Sequence, residues 1–90
     1  MIIKKHLVIS GKLQGVGFRY WIQNLAINNN IVGWVKNKLS GDVEALIIGQ
    51  EKKVQKLIKQ CSIGPSSATI QNIQINDYDQ GCSKEGFNIF

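Results

Sequence analysis

Between Lys5 and Ser10 the chain alternates, with Leu7 and Ile9 on one side, His6 and Ser10 on the other, and Val8 as the exception. This predicts a strand over residues 5–10, closed by Gly11. From Phe18 the period changes: apolar residues recur at Phe18, Trp21, Ile22, Leu25 and Ala26, the spacing of one helical face. A helix therefore begins just after the glycine-rich stretch. Asn28, Asn29 and Asn30 compete for local backbone hydrogen bonds and tolerate left-handed conformations, so they end it.

"IVGWVKNK" and "GDVEALIIG" then read as two strands joined across Leu39, Ser40, Gly41 and Asp42, which suit a hairpin turn. Val54, Leu57, Ile58 and Cys61 return to helical spacing, with Lys52, Lys53, Lys56 and Lys59 largely on the opposite, solvated face, and "IGPSS" stops this second helix. "ATIQNIQIN" is rich in β-branched residues, but its apolar parity slips between Ile70 and Ile73, as a bulge or bend allows. The tail "GFNIF" adds a short last strand.

The order β-α-β-β-α-β defines an α+β, ferredoxin-like sandwich, an antiparallel sheet with both helices on one face. In the 4-1-3-2 strand arrangement the first two strands run parallel through a crossover helix. The end of the first strand, the start of the first helix and the end of the second strand then share an edge. That edge brings "LQGVGFR" beside Lys36, Asn37 and Lys38.

Ninety residues hold one domain, residues 1–90, with one modest core. The longest apolar runs, such as "EALIIG", are far too short to span a bilayer. "MIIKKHLVIS" lacks a small-residue cleavage signature, so a cytoplasmic location is expected. Cys61 and Cys82 are too few and too far apart for a zinc framework or redox pair. They fall at opposite edges of the expected fold, so no disulfide is expected, and each reads as a buried or idle thiol. His6 is the sole histidine, which leaves no histidine metal pair and no relay between histidines; at the start of a strand it reads as surface or packing. A net charge of +5 favours anionic partners, from nucleic acid to phosphorylated metabolites.

The chemistry concentrates in the glycine turn. A helix N-terminus carries unpaired N–H groups and a partial positive charge, and Gly15 and Gly17 allow the backbone to wrap an anion. Arg19 adds a planar, permanently charged fork matching two phosphate oxygens. The plainer alternative is a tight turn with a solvated arginine. "GVGFRY" places Tyr20 where a dinucleotide fingerprint needs a small residue, and no Gly-Lys-Ser/Thr ending marks a nucleotide-triphosphate loop. Asn37 offers an amide that orients a water without taking its proton, or else begins the hairpin turn. Trp34 either walls the site or packs on the sheet, and Lys12, Lys36 and Lys38 raise the local anion concentration.

"GKLQGVGFR" resembles the first signature of the acylphosphatases: a glycine, a Gln-Gly-Val core and a terminal Phe-Arg. The second signature is matched at Gly33, Trp34, Val35, Lys36, Asn37, Gly41, Val43 and Gly49, and "GPSSATIQNIQI" resembles the family's segment before its fourth strand. The resemblance covers nearly the whole chain. It implies that Arg19 is the catalytic phosphate-binding arginine, that Asn37 positions the attacking water, and that backbone amides of Gln14, Gly15, Val16, Gly17, Phe18 and Arg19 cradle the phosphoryl oxygens. The implied reaction is hydrolysis of a carboxyl-phosphate anhydride to a carboxylate and inorganic phosphate, with no metal and no organic cofactor. The expected partner is a small-molecule acyl phosphate, with no nucleic acid, no membrane and a monomeric state. Leu13 replaces the commoner valine, and Phe90 stands where many relatives have a basic or tyrosine ending. The competing class is a non-catalytic ferredoxin-like module that binds anions or RNA, although "DVEALIIG" lacks the exposed aromatics on which bases stack.

Overall fold

A computed structural model describes residues 1–13, 17–79 and 86–90. Its elements are β1 (Ile2–Lys12), α1 (Phe18–Asn28), β2 (Val32–Asn37), β3 (Val43–Gln50), α2 (Glu51–Ile63), β4 (Thr69–Asp77) and β5 (Phe87–Ile89). They form one sheet in the order β4-β1-β3-β2-β5, with every pairing antiparallel except β2 with β5. This is the ferredoxin-like 4-1-3-2 arrangement with the short terminal strand added outside β2.

β1 is longer than its alternation predicts. It starts at Ile2, which pairs with Gln50, and it runs past Gly11 to Lys12, which pairs with Thr69. Gly11 does not close the strand because a β-bulge carries the pairing through it. Ser10 pairs with Asn72 and Gly11 with Ile70, so Gln71 is the extra residue. The bulge explains the slip in β4: Ile70 and Ile73, an odd number apart, both pack against the core. Glycine is required here, since Gly11 has φ +146° and a Cβ would lie 1.9 Å from the Thr69 carbonyl oxygen.

The main core cluster lies between sheet and helices, while Leu46, paired with His6 and Trp34, is buried outside it. Leu7 and Ile9 of β1, Val35 of β2, and Val43, Ala45 and Ile47 of β3 meet Phe18, Ile22 and Ala26 of α1 and Val54, Leu57 and Cys61 of α2. Full burial of each large aliphatic side chain stabilises by about 1.5–3 kcal/mol, which is why the two amphipathic helices commit these faces to the sheet. Burial also pushes the Cys61 thiol up to about 12, so it is a packing group. Cys82 lies outside the described residues. The asparagine cluster ends α1 as expected, with Asn29 at the C-cap and Asn30 left-handed at φ 56°. No helix among the described residues is long and apolar enough to cross a membrane.

Candidate active site

Asn37 and Ile9 both pair with Val43, one from each side. The ends of β1 and β2 therefore point the same way, one strand apart. After this rung β1 continues to Lys12, and the next residue, Leu13, is buried at the entry to the glycine turn. Gln14, Gly15 and Val16 lie outside the described residues. At Gly17 the backbone is left-handed, with φ 67° and ψ 29°, and it turns the chain into α1. Trp21 N–H donates to the Gly17 carbonyl at 3.0 Å, closing the first helical turn. Among the described residues no side chain caps this terminus, and its first turn holds no acidic residue. Its first-turn amides carry the partial positive charge of a helix N-terminus. Phe18 fixes the helix start by burying its ring, stacked at 5.4 Å on Trp21.

Arg19 extends from that first turn toward the β5 edge. Its guanidinium Nη1 donates to the Phe90 carbonyl oxygen at 3.3 Å, and Phe90 N–H donates to the Val35 carbonyl at 2.9 Å. Gln23 Nε2 makes a second tie, donating to the Phe87 carbonyl at 2.9 Å. α1 is thus held to β5 and β5 to β2, two residues before Asn37. Asn37 follows Val35 at strand period two, so it shares the helix-covered face with the core residues and with α1. It is exposed, and it is the last paired residue of β2, so the hairpin turn starts after it. That turn is closed by Lys38 N–H donating to the Asp42 carbonyl at 2.8 Å and Gly41 N–H donating to the Lys38 carbonyl at 3.0 Å.

Trp34 does not wall this edge. It sits between the core positions Gly33 and Val35 and opposite Leu46, so its ring lies on the face away from the helices. There it meets His6 at 6.2 Å and Phe90 at 6.4 Å, with Lys36 Nζ 5.2 Å above it. His6 is in mid-strand and its Nε2 is 2.6 Å from Glu44 Oε2, while Lys36 Nζ is 3.6 Å from Glu44 Oε1. Partial burial alone would raise the Glu44 pKa. The hydrogen bond from His6 and the charges of His6, Lys36 and Lys38 outweigh it and hold the carboxyl below the usual glutamate value. Lys36 is accordingly committed to Glu44. This cluster was not found from the sequence, although hairpin register through Asn37 and Val43 places Lys36 opposite Glu44. β3 carries no aromatic residue, as expected, but His6, Trp34 and Tyr78 come together on the open face from outside it. Among the described residues no three His, Cys, Asp or Glu side chains gather as metal ligands.

The fold is that of a ferredoxin-like α+β domain, in which an arginine-bearing helix start and a strand-end asparagine follow the ends of two strands that point the same way. The acylphosphatase family model matches residues 5–89. An acylphosphatase from Acidiphilium cryptum is 37% identical over 86 residues, covering 96% of this chain and 93% of the relative. The crystal structure of acylphosphatase from Bacillus subtilis superposes with a TM-score of 0.91 at 30% identity, covering 100% of this chain and 99% of that one. The structure of an acylphosphatase from Coxiella burnetii gives a TM-score of 0.90, also at 30% identity, over 99% of this chain and 93% of that one. The chain belongs to the acylphosphatase family, enzymes that hydrolyse acyl phosphates.

Proposed function

We propose that Arg19 and the backbone amides of the turn from Gln14 through Gly15, Val16, Gly17 and Phe18 to Arg19 hold the phosphoryl group of an acyl phosphate. Asn37 orients the attacking water. The arrangement that best supports this assignment is the tie from Arg19 through Phe90 to Val35, two residues before Asn37 on the same sheet face.

The chemistry suits this economy of groups. A carboxylate is a good leaving group, so positioning and charge stabilisation suffice without a strong general acid. The water oxygen forms a new bond to phosphorus as the bond from phosphorus to the carboxyl oxygen breaks, and the bonding pair leaves with the carboxylate. The water's proton passes to a phosphoryl oxygen of the substrate. The Asn37 amide accepts a hydrogen bond from the water and donates another, which fixes direction without removing the proton. Arg19 and the amides oppose charge on the equatorial oxygens. In this reading the enzyme acts on a small substrate as a cytoplasmic monomer, with no metal and no organic cofactor in the chemistry.

Hydrolysis of benzoyl phosphate in ¹⁸O-labelled water tests this assignment. Label is expected in inorganic phosphate; label in benzoate would place the attack at carbon and contradict it.

A further inference from the structure

The mechanism above addresses only the phosphoryl end of the substrate. Beside it, the β1–β3 ladder opens beyond the Ile9–Val43 rung. β1 is drawn toward β4 by the bulge at Gln71, while the chain before Val43 curls into the hairpin turn. The divergence leaves an open notch of about 480 Å³. Along the chain its wall residues neighbour the proposed phosphoryl site at two points. Its wall residue Leu13 directly precedes the glycine turn, and the carbonyl of its wall residue Asp42 accepts the bond from Lys38, the neighbour of Asn37.

Lys12 lines the notch from β1 and Asp42 from the turn, together with Ser10, Gln71 and Ser40, whose Oγ accepts from Asp42 N–H at 3.4 Å. Among the described residues neither Lys12 nor Asp42 has an ion-pair partner. One cation, one carboxylate, two hydroxyls and an amide complement a group carrying both charges. An apolar acyl group would instead strip water from these groups without replacing its hydrogen bonds.

We propose that this notch receives the acyl end, and that the substrate class is acyl phosphates whose acyl group bears both an ammonium and a carboxylate, as in the side-chain acyl phosphate of an amino acid. Lys12 receives the substrate's carboxylate and Asp42 its ammonium. The inference rests on the phosphoryl-binding assignment above.

The test compares kcat/KM for β-aspartyl, succinyl and acetyl phosphate. β-Aspartyl phosphate is expected to exceed both others by at least about tenfold, and Lys12→Met and Asp42→Asn are each expected to lower the ratio of β-aspartyl to acetyl phosphate by about tenfold. Circular dichroism confirms that the variants are folded. Using the ratio cancels any general loss of attraction for phosphate. A ratio unmoved in both folded variants, or a wild-type preference for succinyl or acetyl phosphate, would overturn the inference while leaving acyl phosphate hydrolysis intact. Failure of the wild type on all three compounds would overturn the functional assignment itself, and this inference with it.

Discussion

The Arg19 guanidinium donates through Nη1 to the backbone carbonyl of Phe90 at 3.3 Å, a contact between residues 71 positions apart. The partner is a neutral carbonyl. No acidic side chain among the described residues pairs with Arg19. A neutral acceptor orients the guanidinium without cancelling its charge, so the charge remains available to a phosphoryl group. The same Phe90 backbone bonds to Val35, which sets the arginine and the Asn37 end of β2 in one frame.

Asn37→Ala is expected to lower kcat for benzoyl phosphate by about a hundredfold or more, the usual cost of misplacing a reacting group. Because Asn37 is exposed at a strand end, the variant's stability in urea should stay within about 0.5 kcal/mol of wild type. A matching loss of stability would mean that the residue is structural.

Two glycines separate backbone strain from collision. A Cβ at Gly17 meets no atom of the described residues within 4 Å, so the cost of Gly17→Ala there is that of its left-handed backbone, about 1–2 kcal/mol. At Gly11 the added Cβ runs into the Thr69 carbonyl oxygen at 1.9 Å and the bulge must shift. Gly11→Ala should therefore lower the urea midpoint more than Gly17→Ala does; the reverse order would refute the bulge geometry.

Glu44 makes stability fall in acid. Its folded pKa is depressed, so the folded state binds fewer protons than the unfolded chain in the window between the two pKa values, and stability rises with pH there. The contribution is fully present above the ordinary glutamate value of about 4.3 and is lost as pH falls through the folded value. Urea titrations of wild type and Glu44→Gln should differ at pH 6 and converge below this window. A constant difference at all pH values would show that Glu44 contributes packing alone.

Cys61 should be inert while the protein is folded. With its thiol buried and its pKa pushed to about 12, reaction with a disulfide reagent at pH 8 should proceed only as fast as the protein opens. Labelling in the presence and absence of denaturant, with peptide mapping to isolate this site, checks it. Rapid native labelling at Cys61 would contradict the packing described.

The extent to which the sequence discloses the structure varies with how local the cause is. The helical faces of α1 and α2 and the hairpin around Asn37 follow from spacing, because burial against a sheet demands those periods. The bulge showed as a parity slip between Ile70 and Ile73, but choosing Gln71 as the extra residue needs the register against β1. The extension of β1 past Gly11 and the docking of β5 beside β2 depend on partners that local pattern does not carry. The common direction of the β1 and β2 ends, which Arg19 and Asn37 follow, is legible because a crossover helix joins two parallel strands. Trp34 was ambiguous until strand parity with Val35 placed it on the opposite face. The His6–Glu44 pair is not legible in the sequence because it joins β1 to β3 and requires their register.

The central assignment is tested most directly by kcat/KM for benzoyl phosphate in chelator-treated buffer, measured for wild type, Arg19→Ala and Arg19→Lys. Wild type should turn over without added metal. Arg19→Ala should lose about a hundredfold to a thousandfold, as when a transition-state donor is removed. Arg19→Lys should recover little, since a point charge does not reproduce the planar fork. Turnover by a folded Arg19→Ala variant within a few-fold of wild type would contradict the account.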